Sequence, residues 1–349
     1  MNKFQILEAP AQFNHAGTKA TADIAVIAGS LGFRKLLLQM RTTKKGYFSK
    51  IKRQWGYCID WNSCYSTIVD DAVVLLQHPF HYPQFTRERV LYALKRRKHV
   101  KFISIVHDVE ELRGFRFNDY YKREFEVMLD IADIIIVHNA LMKQFFIEQG
   151  VDKNRLIDIE IFDYLQDGTI EKKVEFEKAI TVAGNLDTTK CRYIGQLGRI
   201  TGVKINLFGP NFNEDMKQLD NVEYHGSFPV DEIPRQLKTG FGLVWDGESI
   251  QGCKGLSGQY LKYNNPHKLS LYLSSGMPVV IWSGAAEAQF VRENGVGICV
   301  ESLCELEALL SNMTVEEYQS IRKNVCTERD KLVQGYYSKK AIEYALMRI

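Results

Sequence analysis

Short apolar segments of strand length alternate with helical patterns along most of the chain. The predicted strands of the first series are Phe4–Glu8, Lys35–Met40, Ala72–Gln77, Lys101–His107, Ile134–His138 and Leu156–Phe162. The predicted helices between them are Thr21–Leu31, Phe85–Arg97, Glu124–Ile131 and Ala140–Gln149. Ala72–Gln77 is an apolar run of the kind found in strands buried on both faces of a parallel sheet. This repeated order predicts an open, doubly wound α/β sheet.

A second series of the same kind follows the polar segment Asp163–Lys173. Its predicted strands are Ala179–Ala183, Lys204–Phe208, Val222–His225, Phe241–Trp245, Pro278–Ile281 and Gly297–Val300, and its clearest helices are Asp231–Leu237, Lys268–Ser275 and Ala286–Asn294. A hydrophobic core stops growing near about 250–300 residues, so a chain of 349 residues is expected to form two domains. We predict Rossmann-like domains at 1–163 and 174–335, with ligands in a cleft at the carboxyl ends of the strands.

Positive charge is concentrated in the N-terminal half, although the net charge of the chain is only +3. Residues 1–160 hold 24 Lys and Arg against 18 Asp and Glu, with dense basic stretches at 41–53 and 87–101. Two interpretations stay open: two solvated faces, or a cationic surface for a lipid headgroup or a pyrophosphate-linked acceptor. A nucleic acid is not expected, because the overall charge is nearly balanced and no DNA-binding motif is present.

The sequence contains no segment that indicates membrane spanning or secretion. No apolar run approaches the ~18 residues that cross a bilayer, and the first residues lack a basic region followed by a long apolar one. The seven cysteines are dispersed without a C-x-x-C pair, as expected for reduced core thiols. We therefore expect a cytoplasmic protein, with the basic half available for peripheral contact at the inner face of the membrane.

Several nucleotide-binding motifs are missing. There is no G-x-x-x-x-G-K-[ST] and no G-x-G-x-x-G after the first strand, which disfavours P-loop phosphotransferases and dehydrogenases. Gly240-Phe241-Gly242 precedes an apolar run and is interpreted as a strand entry. No D-x-D is present, and Asp158 and Glu160 are expected on the solvent side of one strand. The sequence therefore predicts neither a bound metal nor a cofactor.

Polar residues follow several of the predicted strands. Gly17 and Thr18, in the loop before the first helix, can let backbone amides approach an anion, or can form a plain loop. His107 and Asp108 end a buried strand, where a histidine can serve as a general base or the pair can cap the next segment. Gly184-Asn185 closes the first strand of the second series. Lys190 follows and can reach a diphosphate, or remain an exposed lysine.

The segment Tyr260–Val280 combines the strongest signals. Pro266 suits the start of a helix, and His267 and Lys268 fall in its first turn, where exposed amides favour a phosphate. A lysine there opposes the helix dipole unless an anion offsets it, so this local conflict indicates function. The preceding stretch Gly247–Gln259 holds four glycines, which predicts a mobile loop at the mouth of the site.

Motifs along nearly the full length resemble those of bacterial GT-B glycosyltransferases. They include His107-Asp108, Ala183-Gly184-Asn185-Leu186, Phe208-Gly209-Pro210, Gly242–Gly247 and Tyr263-Asn264-Asn265-Pro266-His267-Lys268. The chain resembles β-1,6-galactofuranosyltransferases in particular. It is also similar to the glucosyltransferase that extends GlcNAc on serine-rich-repeat adhesins of streptococci.

This resemblance implies a UDP-sugar donor held mainly by the C-terminal domain. The positions that match the family's UDP contacts are Thr21, Lys190, the region of Ser227 and Phe228, and Lys268 with its neighbours Asn265, Pro266, His267 and Leu269. The strand-end residues Gly17, Thr18, Gly184 and Asn185 are added to this candidate site from their positions in the sequence. It further implies that His107 or Asp108 acts as the base for the acceptor hydroxyl. Transfer without a metal is expected because the sequence shows no D-x-D and no other cluster of metal ligands. Residues 336–349 are expected to form a last helix that packs back on the first domain.

Three functions follow from these expectations. The first is galactofuranosyl transfer from a UDP-sugar to a glycan acceptor of surface polysaccharide synthesis, an acceptor that lipid pyrophosphate can carry. The second is glucosyl transfer to GlcNAc on an adhesin, and the third is a catalytically silent glycan-binding or scaffold protein. A homo-oligomer is compatible with each of them.

Overall fold

The computed structural model describes residues 1–9, 19–166 and 174–349. These residues divide into two compact units, Met1–Ile159 with Ser338–Ile349, and Glu160–Tyr337. Each unit contains one six-stranded sheet. Every pairing within the two sheets is parallel. Parallel strands need crossover connections, which explains the strand–helix alternation of the sequence.

The first unit has the strand order β2-β1-β3-β4-β5-β6. Its strands are β1 (Lys3–Ala9), β2 (Arg34–Gln39), β3 (Val73–His78), β4 (Lys101–Val106), β5 (Ile134–Val137) and β6 (Leu156–Asp158). Its helices are α1 (Lys19–Ser30), α2 (Tyr47–Thr67), α3 (Arg87–Arg97), α4 (Glu110–Arg113), α5 (Asp119–Ile131) and α6 (Ala140–Glu148). All residues of β3 are buried. Strand order reverses at β1 and β3, and ligands of open α/β sheets bind at the carboxyl ends of such strands.

The second unit has the order β12-β11-β10-β7-β8-β9. Its strands are β7 (Glu175–Ala183), β8 (Lys204–Phe208), β9 (Val222–Tyr224), β10 (Thr239–Val244), β11 (Val279–Trp282) and β12 (Gly297–Val300). Its helices are α7 (Ile233–Gln236), α8 (Gly255–Tyr260), α9 (His267–Ser274), α10 (Ala288–Asn294), α11 (Leu306–Asn312) and α12 (Val315–Leu332), and α13 (Tyr336–Leu346) follows at the end of the chain. The strand order reverses between β7 and β10.

Gly242 lies inside β10 and has a packing role. A Cβ at this position would stand 2.1 Å from Cγ of Tyr272, whose hydroxyl accepts a hydrogen bond from the Ala183 amide at 2.8 Å. The ring of Tyr272 thus needs the space above a glycine to reach the end of β7. The interpretation of Gly240-Phe241-Gly242 as a strand entry is confirmed.

Two sequence expectations differ from the structure. Asp158 ends β6, and Glu160 adopts a φ of 72°, so the two carboxylates do not share one face of a strand. The Asp158 side chain instead lies 3.6 Å from Nζ of Lys143. The seven cysteines are free thiols, but only Cys64 and Cys253 are buried, and Cys304 is exposed, so the expectation of core thiols holds for two of them. Among the described residues, no helix has the length and apolar character to cross a membrane.

Candidate functional site

Two glycines bring the ends of β7 and β8 into direct backbone contact. Gly184 (φ 146°) donates its amide to the Phe208 carbonyl at 2.9 Å. A Cβ on Gly209 (φ 142°) would lie only 1.7 Å from the Gly184 carbonyl oxygen. Both positions therefore exclude side chains, and the ends of β7 and β8 present bare backbone beside the reversal between β7 and β10.

Lys268 lies beside this backbone, in the first turn of α9. A Cβ on Gly184 would stand 3.4 Å from Cε of Lys268, so the lysine stem passes over the end of β7. Within the described part of the chain, no carboxylate forms an ion pair with Lys268. The start of α9 carries no acidic residue and no side-chain cap. A partly buried cation near helix amides and strand-end glycines forms a suitable site for an anion such as a diphosphate.

Asp246 and Cys191 complete the surroundings of Lys268 and were missed by the sequence analysis. Asp246 follows β10, and its Oδ1 accepts the Gly247 amide at 2.7 Å and the Cys191 thiol at 3.7 Å. Burial and the Asp246 charge raise the pKa of Cys191 to about 11, although Lys268 opposes this rise. The thiol therefore stays protonated at neutral pH. The sequence signal that could have identified Asp246 is its position directly after the apolar run of β10.

The neighbours of Lys268 contact the segment that opens the second unit. The Asn265 amide donates to the Glu160 carbonyl at 3.0 Å, and His267 Nε2 lies 3.2 Å from the Asp163 carbonyl. The His267 ring stacks on Tyr164 with centroids 5.0 Å apart. Pro266 is the N-cap residue of α9, and Leu269 is fully buried in the core. These side chains orient α9, whereas Lys268 is directed to the strand ends.

Asn185 and Lys190 lie in the loop after β7 but have different surroundings. The Asn185 Oδ1 accepts hydrogen bonds from Asn211 Nδ2 at 2.8 Å and from the Asp187 amide at 3.3 Å, which joins the loops after β7 and β8. Lys190 is 71% exposed and lies 3.7 Å from Asp187. The structure thus brings Gly184 and Lys268 together and leaves Lys190 on the surface.

Ser227 and Phe228 follow β9, and Phe228 faces a cavity of about 370 Å³. His225 stacks on Phe208 in this cavity, with centroids 4.5 Å apart and an interplanar angle of 9°. Burial lowers the pKa of His225, which favours its neutral form. The Phe228 ring lies 6.3 Å from the Phe208 ring, whereas Ser227 is exposed. Phe228 therefore belongs to an aromatic cluster at the carboxyl end of β8.

The glycine-rich stretch 247–259 is closely packed. A Cβ on Gly247 would lie 2.1 Å from the Lys254 carbonyl oxygen, and a Cβ on Gly258 would lie 2.5 Å from the Cys253 carbonyl carbon. These glycines allow close backbone approach within the loop. Their number is therefore explained by packing, and the expected mobility of the loop stays a prediction.

In the first unit, Gln77 connects Thr21 with His107. Its Nε2 donates to the Thr21 carbonyl at 3.1 Å, which orients the amide, and its Oε1 lies 2.6 Å from His107 Nε2. Oε1 can only accept, so the neutral His107 ring carries its proton on Nε2 and Nδ1 is its basic nitrogen. Gln77 was not singled out from the sequence, because an interior amide at the end of an apolar run gave no signal.

Asp108 and His138 lie close to this histidine along the chain or across the sheet. Asp108 Oδ2 accepts a hydrogen bond from Arg113 Nη1 at 2.9 Å, and both side chains are partly exposed. His138 Nε2 lies 3.0 Å from the Val106 carbonyl, and complete burial lowers the pKa of His138 to about 4. His138 is therefore neutral at physiological pH and supports the end of β4.

Glu8, near the end of β1, is a further carboxyl that the sequence analysis missed. It accepts hydrogen bonds from the His81 amide at 2.9 Å and from Gln84 Nε2 at 2.5 Å. Desolvation by burial nevertheless raises the pKa of Glu8 to about 7. A carboxyl that titrates near neutrality at a strand end can exchange protons with a bound ligand.

Gly17 and Thr18 lie outside the described residues. Thr21 is partly buried in the first turns of α1. In the ranges 1–9, 19–166 and 174–349, no cluster of three or more His, Cys, Asp or Glu side chains has the arrangement of a metal site.

Comparison with known proteins gives consistent matches over both units. The model "Glucosyltransferase 3-like, N-terminal domain" matches residues 5–161, and "Glucosyltransferase 3-like, C-terminal domain" matches residues 180–345. Beta-1,6-galactofuranosyltransferase WbbI of Escherichia coli K12 is 35% identical over 247 residues, which cover 70% of each chain. Glucosyltransferase 3 of Streptococcus gordonii is 27% identical over 337 residues, which cover 95% of this chain and 94% of the relative.

Among solved structures, HepE of Anabaena in complex with UDP-glucose is similar in fold. It matches with a TM-score of 0.63 over 100% of both chains at 12% identity. The two sheets and their helices thus have the GT-B arrangement of glycosyltransferases, and the expected fold class is confirmed.

Proposed function

Because the chain belongs to the glucosyltransferase 3-like family, and is a glycosyltransferase, we propose that it transfers galactofuranose from a UDP-sugar to a glycan acceptor of surface polysaccharide synthesis. The relative named beta-1,6-galactofuranosyltransferase is 35% identical over 70% of the chain, which supports this sugar. The acceptor we propose is a growing glycan, carried by lipid pyrophosphate.

The observation that carries the donor side of this proposal is Lys268 over the bare backbone of Gly184. A leaving UDP bears negative charge on its diphosphate, and a fixed cation with nearby amides stabilises that charge as the glycosidic bond to UDP breaks. Gly184, Asn185 and the first turn of α9 from Pro266 to Leu269 would surround the diphosphate. In this proposal Phe228 and Ser227 lie towards the uracil base of UDP.

Lys190 and Thr21 have a secondary place in the donor site. Lys190 is long and exposed, so it can turn from Asp187 to a bound diphosphate. That Thr21, like Gly17 and Thr18, contacts the donor is proposed from the sequence alone. We expect these contacts to contribute less than Lys268, because an exposed lysine is more strongly screened by water.

On the acceptor side, we propose His107 as the base. Gln77 Oε1 lies 2.6 Å from His107 Nε2 and orients the imidazole at the end of β4, and a neutral imidazole can take the proton of the attacking hydroxyl. Asp108 is the alternative base, since its carboxylate also lies at the end of β4. No metal is required in this scheme, because Lys268 and the helix amides offset the charge of the leaving group.

A second candidate is glucosyl transfer to a GlcNAc-bearing acceptor. Glucosyltransferase 3 of Streptococcus gordonii aligns with 95% of this chain, a wider coverage than that of the galactofuranosyltransferase. The two candidates share the UDP site and differ in the sugar and the acceptor.

Measurement of UDP release with UDP-galactofuranose, UDP-galactose and UDP-glucose separates these candidates. Galactofuranosyl transfer predicts that an acceptor glycan stimulates UDP release from UDP-galactofuranose, and that Lys268→Ala lowers this stimulated release. Stimulated release from UDP-glucose alone would establish the second candidate. Release from none of the three donors, by protein that binds UDP, would contradict both.

A further inference from the structure

Helix α2 exposes an apolar stripe on the face opposite to its core side. Tyr47, Ile51, Trp55 and Ile59 are spaced four residues apart and therefore follow one face of the helix, with Phe48 beside them. Phe48 is 85% exposed and Trp55 is 70% exposed. We call these five residues the α2 stripe. The other face of α2 buries Tyr57, Trp61 and Cys64 in the core of the first unit.

A neighbouring segment extends this apolar surface. The Gln54 side chain donates to the Pro83 carbonyl at 2.7 Å and accepts the Phe85 amide at 3.1 Å. These bonds fix the segment beside α2, where Phe85 is 82% exposed and Tyr82 is 46% exposed. Single exposed apolar residues are ordinary on protein surfaces, but a contiguous set that is dominated by aromatic rings marks an interaction site.

Exposed cations lie at the N-terminal end of the α2 stripe. Lys44 and Lys45 precede the helix, Lys52 lies beside the stripe, and Lys50 lies in the first turn towards the core-side face. Among the residues that the structure describes, none of these four lysines forms an ion pair. The acidic residue of α2, Asp60, is paired with Arg41 at 2.6 Å. The surface thus combines aromatic and aliphatic side chains with uncompensated positive charge.

We propose that the α2 stripe docks the first unit on an anionic lipid bilayer. Aromatic rings favour the headgroup region of a membrane, aliphatic side chains enter the acyl boundary, and lysines bind anionic headgroups. A helix that lies in the interface plane needs this arrangement of an apolar face with flanking cations. Protein–protein interfaces are depleted of lysine relative to the rest of the surface, whereas four exposed lysines lie in and before the first turns of α2, which favours a bilayer as the occupant. This docking does not depend on which sugar the enzyme transfers.

Vesicle flotation tests the docking directly. The full chain is mixed with vesicles of phosphatidylcholine alone or of equal parts phosphatidylcholine and phosphatidylglycerol. We expect flotation with the anionic vesicles and at least about tenfold weaker binding for Phe48→Ser/Trp55→Ser. The matched control is Val315→Ser/Met347→Ser, which removes two exposed apolar side chains elsewhere and is expected to bind like the wild type. Cooperative thermal unfolding verifies that each variant is folded.

The lysines are tested with a second pair of variants of equal net charge. One variant replaces Lys44, Lys45, Lys50 and Lys52 by Gln, and its control replaces the exposed Lys122, Lys153, Lys323 and Lys339 by Gln. We expect the first to lose at least about tenfold in affinity for anionic vesicles and the control to lose little, because membrane attraction falls off within a Debye length. Equal losses in both would indicate non-specific charge attraction and would overturn the assignment to α2.

Tryptophan fluorescence distinguishes insertion from surface adsorption. Trp55 is 70% exposed, whereas Trp61 and Trp245 are buried and Trp282 is partly buried in the second unit. The response of Trp55 to lipid is therefore isolated by comparison with Trp55→Phe, which retains the other three tryptophans. We expect a blue shift with anionic vesicles that Trp55→Phe abolishes while flotation persists. Flotation of the wild type without a blue shift would overturn insertion of the stripe.

Light scattering tests the competing occupant, a second copy of the chain. If the stripe is buried between two copies, the wild type is a dimer that Phe48→Ser/Trp55→Ser converts to a monomer, and it does not float. That result, or failure of a monomeric wild-type protein to bind anionic vesicles, would overturn the proposal. These measurements of flotation, fluorescence and light scattering do not depend on the outcome of the UDP-release assay.

Discussion

At the scale of single residues, a few buried or paired groups decide which side chains can take part in chemistry. Lys268 contacts bare backbone, whereas Lys190 is paired with Asp187 in solvent. His107 is oriented by Gln77, whereas His138 is kept neutral by burial. The sequence shows lysines and histidines alike, and only their surroundings separate a candidate reactive group from a structural one.

Lys268→Ala is expected to weaken UDP binding about tenfold or more. A charge-assisted contact to phosphate contributes about 1.5–3 kcal/mol, and about 1.4 kcal/mol corresponds to a factor of ten in affinity. Calorimetry with UDP measures the change. Lys190→Ala is expected to cost less, and the exposed Lys323→Ala serves as the control. Unchanged UDP affinity in a folded Lys268→Ala protein would remove this lysine from the site.

His107→Ala is expected to lower kcat by about 10²–10⁴-fold, the usual contribution of a general base. UDP affinity should stay near that of the wild type, because the Lys268 site belongs to the second unit. Asp108→Asn is the companion variant. If it abolishes turnover while His107→Ala retains a normal kcat, the aspartate is the base. Normal turnover in both variants would place the base elsewhere.

Glu8→Gln is expected to change how stability depends on pH. Burial raises the pKa of Glu8 from 4.5 to about 7, so the folded state retains a proton that the unfolded state loses in this window. Such a group lowers the free energy of unfolding as pH rises from 4.5 to 7, by up to about 3 kcal/mol. The variant should therefore gain stability relative to the wild type between pH 4.5 and 8.

Urea unfolding at pH 4.5 and at pH 8 measures the free energy of unfolding of the wild type and of Glu8→Gln. The exposed Glu111→Gln variant is the control and should follow the wild type at each pH. A Glu8→Gln protein with the same pH dependence as the wild type would show that this carboxyl is ionised in the folded state.

At the scale of elements, the strand ends of the second unit depend on glycine. Gly209→Ala places a Cβ 1.7 Å from the Gly184 carbonyl oxygen, whereas Gly150→Ala, also at a positive φ, meets no atom within 4 Å. The control should cost only backbone strain of about 1–3 kcal/mol. Gly209→Ala should cost more and weaken UDP binding, as chemical unfolding and calorimetry can measure. Equal costs would contradict the close approach of β7 and β8.

Helix α2 shows why an amphipathic pattern can fail to reveal an element. It is 21 residues long, but the sequence analysis did not predict it. Its core face buries Tyr57 and Trp61, while Phe48 and Trp55 are exposed on the other face. Apolar residues on two faces remove the periodic signal on which helix prediction relies.

At the scale of the whole molecule, we expect transfer to proceed without a divalent metal. The charge of the leaving UDP would be offset by Lys268 and by helix amides. Activity in EDTA should equal that in buffer, with a glycosyltransferase of known Mn²⁺ dependence as the positive control. Loss of turnover in EDTA that Mn²⁺ or Mg²⁺ restores would contradict this expectation.

The sequence alone determined the two series of parallel strands, because Val73–Leu76 and similar runs are buried on both faces and appear as continuous apolar segments. It also singled out Lys268, because a lysine in the first turn of a helix conflicts with the helix dipole. The family resemblance then supplied the donor class and the GT-B fold.

Only the tertiary structure decided what each candidate residue contacts. The pairing of Gln77 with His107 joins residues 30 positions apart, and the contact of Gly184 with Lys268 joins β7 to α9. The proton affinity of Glu8 and the exposure of the α2 stripe likewise depend on which elements pack against them. Local pattern specifies an element, but burial and hydrogen-bond partners come from distant parts of the chain, and these set charge, reactivity and binding.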